Sequence, residues 1–62
     1  MEILLWQART NKGWVLEQLE KKSGVSKATL NRIENGQTSP TMDVMEKVAK
    51  ALNIRISDLY ES

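Results

Sequence analysis

Apolar residues recur every three or four positions along most of this 62-residue chain, the spacing that puts them on one face of an α-helix. The pattern predicts helices over residues 2–12, about 16–22, 27–35 and about 56–61. A further helix has Pro40 in its first turn and runs to about Leu52, after which Asn53 can take the left-handed conformation. Since no stretch has a strand pattern, we expect an all-α fold of five short helices, forming one compact domain over residues 1–62.

The stretch from Gly24 to Gly36 has the clearest helix boundaries in the chain. Ser26 can accept a hydrogen bond from an early backbone N–H of the helix that follows, while Gly24 can adopt the positive φ of a sharp turn. Asn35 and Gly36 end the helix, because glycine readily takes the left-handed conformation found after a last turn. Two helical turns are too few to be stable alone, so tertiary contacts must hold them.

The two sides of the helix over residues 27–35 differ in chemistry. Leu30 and Ile33, with Val25 just upstream, form one apolar stripe for burial. The residues predicted to face away from that stripe are Lys27, Ala28, Asn31 and Arg32. We therefore expect a helix that is buried along one side and offers polar groups to solvent along the other.

Other apolar positions have assignable roles. The first helix aligns Met1, Leu4, Leu5 and Ala8 on one face, whereas Ile3 and Trp6 lie on its flank and either pack against a neighbouring helix or form a partner surface. Met42 and Met45 are expected in the core. Ahead of the second helix, Trp14 is placed to pack on Leu19. Val15 occupies the N-cap position of that helix, and Gln18 stands three residues later, at the position of the glutamine in a capping box.

Composition excludes several classes of site. The chain lacks cysteine and histidine, so disulfides, the usual zinc ligands, thiol nucleophiles and imidazole catalysis are excluded. It has no glycine-rich phosphate loop, and its carboxylates are explained as helix-surface charges, so we expect no enzyme activity, no metal and no cofactor. No apolar run approaches the roughly 20 residues that span a bilayer, and the expected location is cytoplasmic.

Charge is distributed unevenly along the chain. The formal net charge is only +1, but residues 21–32 contain Lys21, Lys22, Lys27 and Arg32 and no acidic residue. Such a local basic cluster is typical of a phosphate-binding surface, although it is also compatible with an ordinary solvated face.

Residues 16–36, with Leu19, Gly24, Val25, Ser26, Leu30 and the run Arg32-Ile33-Glu34-Asn35-Gly36 in register, resemble the Cro and phage-repressor (Xre) family of helix-turn-helix DNA-binding proteins. The resemblance continues through Ser39-Pro40-Thr41-Met42 to Leu59. It implies a compact five-helix, lambda-repressor-like domain in which the second and third helices form the helix-turn-helix. It also implies that the third helix lies in the major groove of double-stranded DNA.

The resemblance also implies roles for individual residues. The residues expected to face base edges are Lys27, Ala28, Asn31 and Arg32. Those expected to contact phosphates are Lys22, Ser26, Thr29, Asn35, Gln37, Thr38 and Ser39. Arg9 is expected to pair with Glu34, which would make Glu34 structural although it belongs to the recognition helix.

Three positions depart from the family pattern. Glu20 stands where the close approach of the two motif helices commonly requires a small residue, so we expect its carboxylate to bend out to solvent or the helix pair to open slightly. Leu16 replaces a frequent phosphate-binding glutamine, and Arg55 replaces a serine that usually caps the last helix.

Two functional hypotheses follow. The first is a sequence-specific transcriptional regulator, acting as a repressor, that binds a palindromic operator as a homodimer formed in solution or only on DNA. Pairing would use the fifth helix and the loop before it, and no small-molecule effector is evident. The second is a protein-interaction module, such as an antitoxin or adaptor, that holds its partner through Ile3, Trp6 and the last helix.

Overall fold

The computed structural model describes residues 2–61, so the expectation for Met1 lies outside the described residues. In chain order its elements are strand β1 (Glu2–Ile3), helices α1 (Leu5–Asn11), α2 (Leu16–Ser23), α3 (Lys27–Glu34) and α4 (Met42–Leu52), a 3-10 helix (Ile56–Leu59) and strand β2 (Tyr60–Glu61). The domain measures 27 × 22 × 20 Å. Within residues 2–61, no helix has the length and apolar character needed to cross a membrane.

The two ends of the described chain pair as a small antiparallel sheet, which corrects the all-α expectation. Glu2 lies opposite Glu61 and Ile3 opposite Tyr60, and the backbone N–H of Leu4 donates to the carbonyl oxygen of Leu59 at 2.7 Å. The predicted first helix therefore begins at residue 5 instead of residue 2, and the predicted fifth helix is a 3-10 helix that ends at Leu59. Strands this short show no alternating pattern, so only tertiary pairing defines them.

The predicted helix boundaries in the middle of the chain are confirmed, with one exception. Gly24 has a φ of +77° after α2, and the Ser26 hydroxyl oxygen accepts the Thr29 backbone N–H at 3.2 Å at the start of α3. Asn53 leaves α4 at a φ of +58°, as expected. The exception is Pro40, which lies outside α4 because Thr41 is the N-cap and accepts the Val44 backbone N–H at 3.2 Å.

The core lies between the four α-helices and the 3-10 helix. Its buried residues are Leu5, Leu19, Val25, Leu30, Ile33, Met45, Val48, Ala49, Leu52 and Leu59. A small cavity of about 10 Å³ lies among Leu5, Ile33, Pro40 and their neighbours, and a space of that size holds at most one water molecule. Helix α3 contributes Leu30 and Ile33 to this core.

Two apolar residues differ from their predicted environments. Met42 is 61% exposed, so its prediction as a core residue is wrong: it begins α4 beyond the core, where Pro40 and Val44 line the apolar cavity instead. Ile3 and Trp6, grouped together from the sequence, separate in the structure. Ile3 packs against the core from β1, whereas Trp6 is 54% exposed on α1.

The N-terminus of α2 lacks a side-chain cap, and this allows a stability prediction. Val15 occupies the N-cap position, is 55% exposed and has no oxygen to accept an N–H, although the Gln18 side-chain oxygen accepts the Val15 backbone N–H at 3.0 Å. We expect Val15→Thr, which adds the missing acceptor at nearly constant shape, to stabilise the domain by about 0.5–2 kcal/mol in thermal unfolding. Val15→Ala is the control and should give no gain; a Val15→Thr melting temperature at or below that of the parent would contradict this account of the helix start.

Candidate functional site

Helix α3 is buried along one side and exposed along the other. Leu30 and Ile33 are 0% and 4% exposed and pack in the core, and Val25 just before the helix is 7% exposed. The four residues predicted to face base edges, Lys27, Ala28, Asn31 and Arg32, are all exposed. The structure therefore brings amide, guanidinium, ammonium and methyl groups to the solvent side of one eight-residue helix.

The side chain of Glu20 links α2 to the first residue of α3. Its Oε2 atom accepts the backbone N–H of Lys27 at 2.9 Å, and the residue is half-buried. This N–H has no partner within α3, since the first N–H groups of a helix never do. The expectation that the Glu20 carboxylate bends out to solvent is therefore wrong. The carboxylate lies where α2 and α3 approach closely, and it accepts the otherwise unpaired N–H of Lys27.

The seven residues predicted to contact phosphates occupy four places. Lys22 is exposed in the last turn of α2, and Gln37, Thr38 and Ser39 are exposed in the loop after α3. Ser26 and Thr29 bond to each other at the start of α3, where the Ser26 hydroxyl donates to Thr29 Oγ1 at 2.8 Å. Asn35, the C-cap of α3, is exposed, and its side-chain nitrogen lies 3.4 Å from Asn31 Oδ1.

Arg9 on α1 and Glu34 on α3 form the ion pair that the resemblance implied. Arg9 Nε and Nη2 donate to the two carboxylate oxygens at 2.7 and 2.9 Å, and Arg9 Nη1 donates to the Trp14 carbonyl oxygen at 2.8 Å. The side chains are only 12% and 5% exposed. The hydrogen bonds to Glu34 raise the pKa of Arg9 above its usual value, partly offset by burial.

Lys27 is paired within the chain, which the sequence did not predict. Its Nζ atom lies 3.4 Å from Glu17 Oε2, and both side chains are largely exposed. The pKa of the Glu17 carboxyl lies below its usual value. The main cause is a hydrogen bond from the backbone N–H of Glu17 itself, and the second is the Lys27 ammonium group. Any stabilisation from this shift is therefore present above the ordinary glutamate pKa and is lost as the pH falls through the lowered value. The three-residue spacing places Glu17 and Glu20 on the same side of α2, but no local pattern in the sequence locates Lys27 against them.

The exposed charges around α3 are mainly positive. Among residues 2–61, Lys21, Lys22 and Arg32 form no ion pair, so their charges are available to a ligand. Of the other two family departures, Leu16 packs against the core. Arg55 makes no side-chain cap, and only its backbone N–H bonds here, donating to Asp58 Oδ2 at 3.1 Å. No group of acidic side chains in the described part of the chain is arranged to hold a metal ion. Unpaired positive charge is therefore exposed in the last turn of α2 and on α3.

The Arg9–Glu34 pair generates a stability prediction. We expect Glu34→Ala to cost about 3 kcal/mol, because it leaves a largely buried guanidinium without its counter-charge. Chemical denaturation followed by circular dichroism measures the loss, and Asp43→Ala is the control because it removes the exposed Lys47–Asp43 pair, which joins Nζ and Oδ2 at 3.3 Å. Equal small losses in the two variants would show that the Arg9–Glu34 pair does not hold α3.

Comparisons with known proteins agree with this architecture. A family profile described as helix-turn-helix matches residues 7–59. The chain is 43% identical over 53 residues to the HTH-type transcriptional regulator SutR of Escherichia coli, covering 86% of this chain and 30% of that protein. It is 33% identical over 60 residues to an uncharacterised HTH-type transcriptional regulator of Archaeoglobus fulgidus, covering 97% and 86%.

A third relative is named for repression. It is the competence pilus inhibition repressor of Acinetobacter baylyi, 33% identical over 52 residues, covering 84% of this chain and 47% of that protein. The chain thus spans less than half the length of two of these relatives. The match covers the α2–turn–α3 unit and most of the core around it. The chain therefore belongs to the helix-turn-helix family of the Cro and phage-repressor (Xre) type, a family of DNA-binding proteins and not of enzymes.

Proposed function

We propose that the chain is a sequence-specific DNA-binding transcriptional regulator that acts as a repressor. In this proposal, α3 reads the major groove and two copies bind a palindromic operator. The observation that carries the proposal is the exposed polar side of α3, held outward by the burial of Leu30 and Ile33. The repressor role is supported by the name of the Acinetobacter relative.

The proposed base-reading residues have side chains suited to base edges. Arg32 and Lys27 are the residue types that best donate to guanine O6 and N7, and Asn31 can pair with adenine. Ala28 can contact a thymine methyl group. Among residues 2–61 Arg32 makes no ion pair, so it can approach a base without first leaving a partner.

The proposed phosphate contacts flank the base-reading side of α3. Lys22 precedes the turn, and residues 37–39 follow the helix. Thr29 Oγ1 accepts the Ser26 hydroxyl proton, so its own proton remains able to donate to a phosphate oxygen. Contacts of this kind fix the position of the protein on DNA without reading its sequence.

A dimer is proposed because one module offers limited contact area. Single DNA-binding modules bury about 600–1,000 Å² on DNA, and a two-fold pair doubles the sequence that is read. The proposed pairing surface is the 3-10 helix with the segment before it, where Ile54 lines a shallow groove together with Leu4 and Ala8. Pairing there can occur in solution or only on DNA.

The protein-interaction hypothesis is weakened by the position of Ile3, which packs against the core, but it retains the exposed Trp6. Salt separates the two hypotheses. DNA binding weakens with a log–log slope of about −0.9 per neutralised phosphate, whereas an apolar interface responds little.

Selection from a random duplex pool by the purified chain, at low and physiological salt, tests the proposed function. We expect enrichment of an inverted repeat whose half-sites lie about one helical turn apart. Enrichment of single half-sites would contradict the dimer alone. A folded sample that enriches no sequence at low salt would contradict the proposal and favour a protein partner at Trp6.

Arg32 and Lys22 should respond differently to truncation, since only Arg32 is proposed to reach bases. We expect Arg32→Ala to cost about 1–3 kcal/mol on the selected site and to relax preference at one base position. Lys22→Ala is the matched control and should weaken binding to all duplexes alike. Affinity measurements on the selected site and its single-base variants distinguish the two; equal, sequence-independent losses would remove Arg32 from the base-reading set.

A further inference from the structure

Two carboxylates of α2 lie against the first residue of α3. Glu20 Oε2 accepts the Lys27 backbone N–H at 2.9 Å, and Glu17 Oε2 lies 3.4 Å from Lys27 Nζ. Because they are three positions apart on one helix, Glu17 and Glu20 project from the same side of α2. Lys27 is therefore held both through its backbone and through its side chain.

The two contacts differ in character. Glu20 is half-buried and bonds to a backbone atom, so it fixes where α3 begins. The side chains of Lys27 and Glu17 are 51% and 66% exposed, and exposed pairs of this kind contribute little to stability. The main effect of Glu17 is therefore on the position of the Lys27 ammonium group.

Two of the first three N–H groups of α3 already have acceptors. The first N–H groups of a helix ordinarily attract anions such as phosphate. Here the Lys27 N–H is taken by a carboxylate and the Thr29 N–H by the Ser26 hydroxyl oxygen. A DNA phosphate that approaches Lys27 would therefore meet the carboxylates of Glu17 and Glu20, whereas the Thr29 hydroxyl remains able to donate to a phosphate.

Phosphates and bases respond differently to these carboxylates. An ammonium group has three donors, so Lys27 can keep Glu17 and still donate to another acceptor. If that acceptor is a phosphate, its charge is repelled by Glu17 and Glu20. The O6 and N7 atoms of guanine carry no net charge and can share the ammonium group with Glu17.

We propose that Glu17 and Glu20 are specificity-determining positioning residues, which direct Lys27 to base edges and keep it from binding phosphate. The inference rests on the proposed function, in which α3 reads DNA. We therefore expect that removing either negative charge raises the affinity for mixed-sequence DNA more than the affinity for the preferred site.

The test compares Glu17→Gln and Glu20→Gln with the parent chain. Fluorescence anisotropy measures binding to the selected duplex and to a mixed-sequence duplex between 50 and 200 mM salt, and circular dichroism checks folding. Glutamine at position 20 still offers an oxygen to the Lys27 N–H, and position 17 is exposed, so at least the Glu17 variant should fold. Asp43→Asn is the matched control, since it removes the same charge from the exposed Lys47–Asp43 pair on α4.

For the mixed-sequence duplex, Glu17→Gln should add about one phosphate contact, so the ratio of affinities at 50 and 200 mM salt grows about three- to fourfold. Preference for the selected site should fall, most at the base read by Lys27. Glu20→Gln should shift preference in the same direction. If the parent chain prefers the selected duplex but Glu17→Gln binds both duplexes as Asp43→Asn does, Glu17 does not position Lys27, and the proposed function stands. If the parent chain shows no sequence preference, both this role and the proposed function are wrong.

Discussion

The position of α3 depends on Arg9, whose guanidinium joins three segments of the chain. It binds both carboxylate oxygens of Glu34 and the carbonyl oxygen of Trp14, so α1, the α1–α2 loop and α3 meet at one side chain. An eight-residue helix is not stable alone, and burial of Leu30 and Ile33 fixes its apolar side. With these contacts on one side, the other side of α3 is left for recognition.

The sequence predicted the features that depend on local chemistry. Gly24, Ser26 and Asn53 mark helix boundaries through backbone conformation or a side-chain acceptor, and each behaves in the structure as expected. The helical spacing of apolar and polar positions in α3 likewise predicted which side of the helix is buried. The Arg9–Glu34 pair is not local, and its prediction came from the family resemblance.

The features that the sequence missed depend on contacts between distant residues. Strands β1 and β2 lie at opposite ends of the chain, so no local pattern announces their pairing. Whether Met42 is buried depends on where α4 starts relative to the core. The contacts of Glu17 and Glu20 with Lys27 require the angle between α2 and α3, which residue spacing within α2 alone does not give.

We propose that the exposed side of α3 is the surface that contacts DNA. Amide chemical-shift mapping of the isotope-labelled chain, titrated with its selected duplex, tests it directly. We expect the largest shifts on residues 26–32 and on the loop of residues 37–39, with α1 around Trp6 little changed. Large shifts around Trp6 and Ile54 with α3 unaffected would show that DNA does not contact α3.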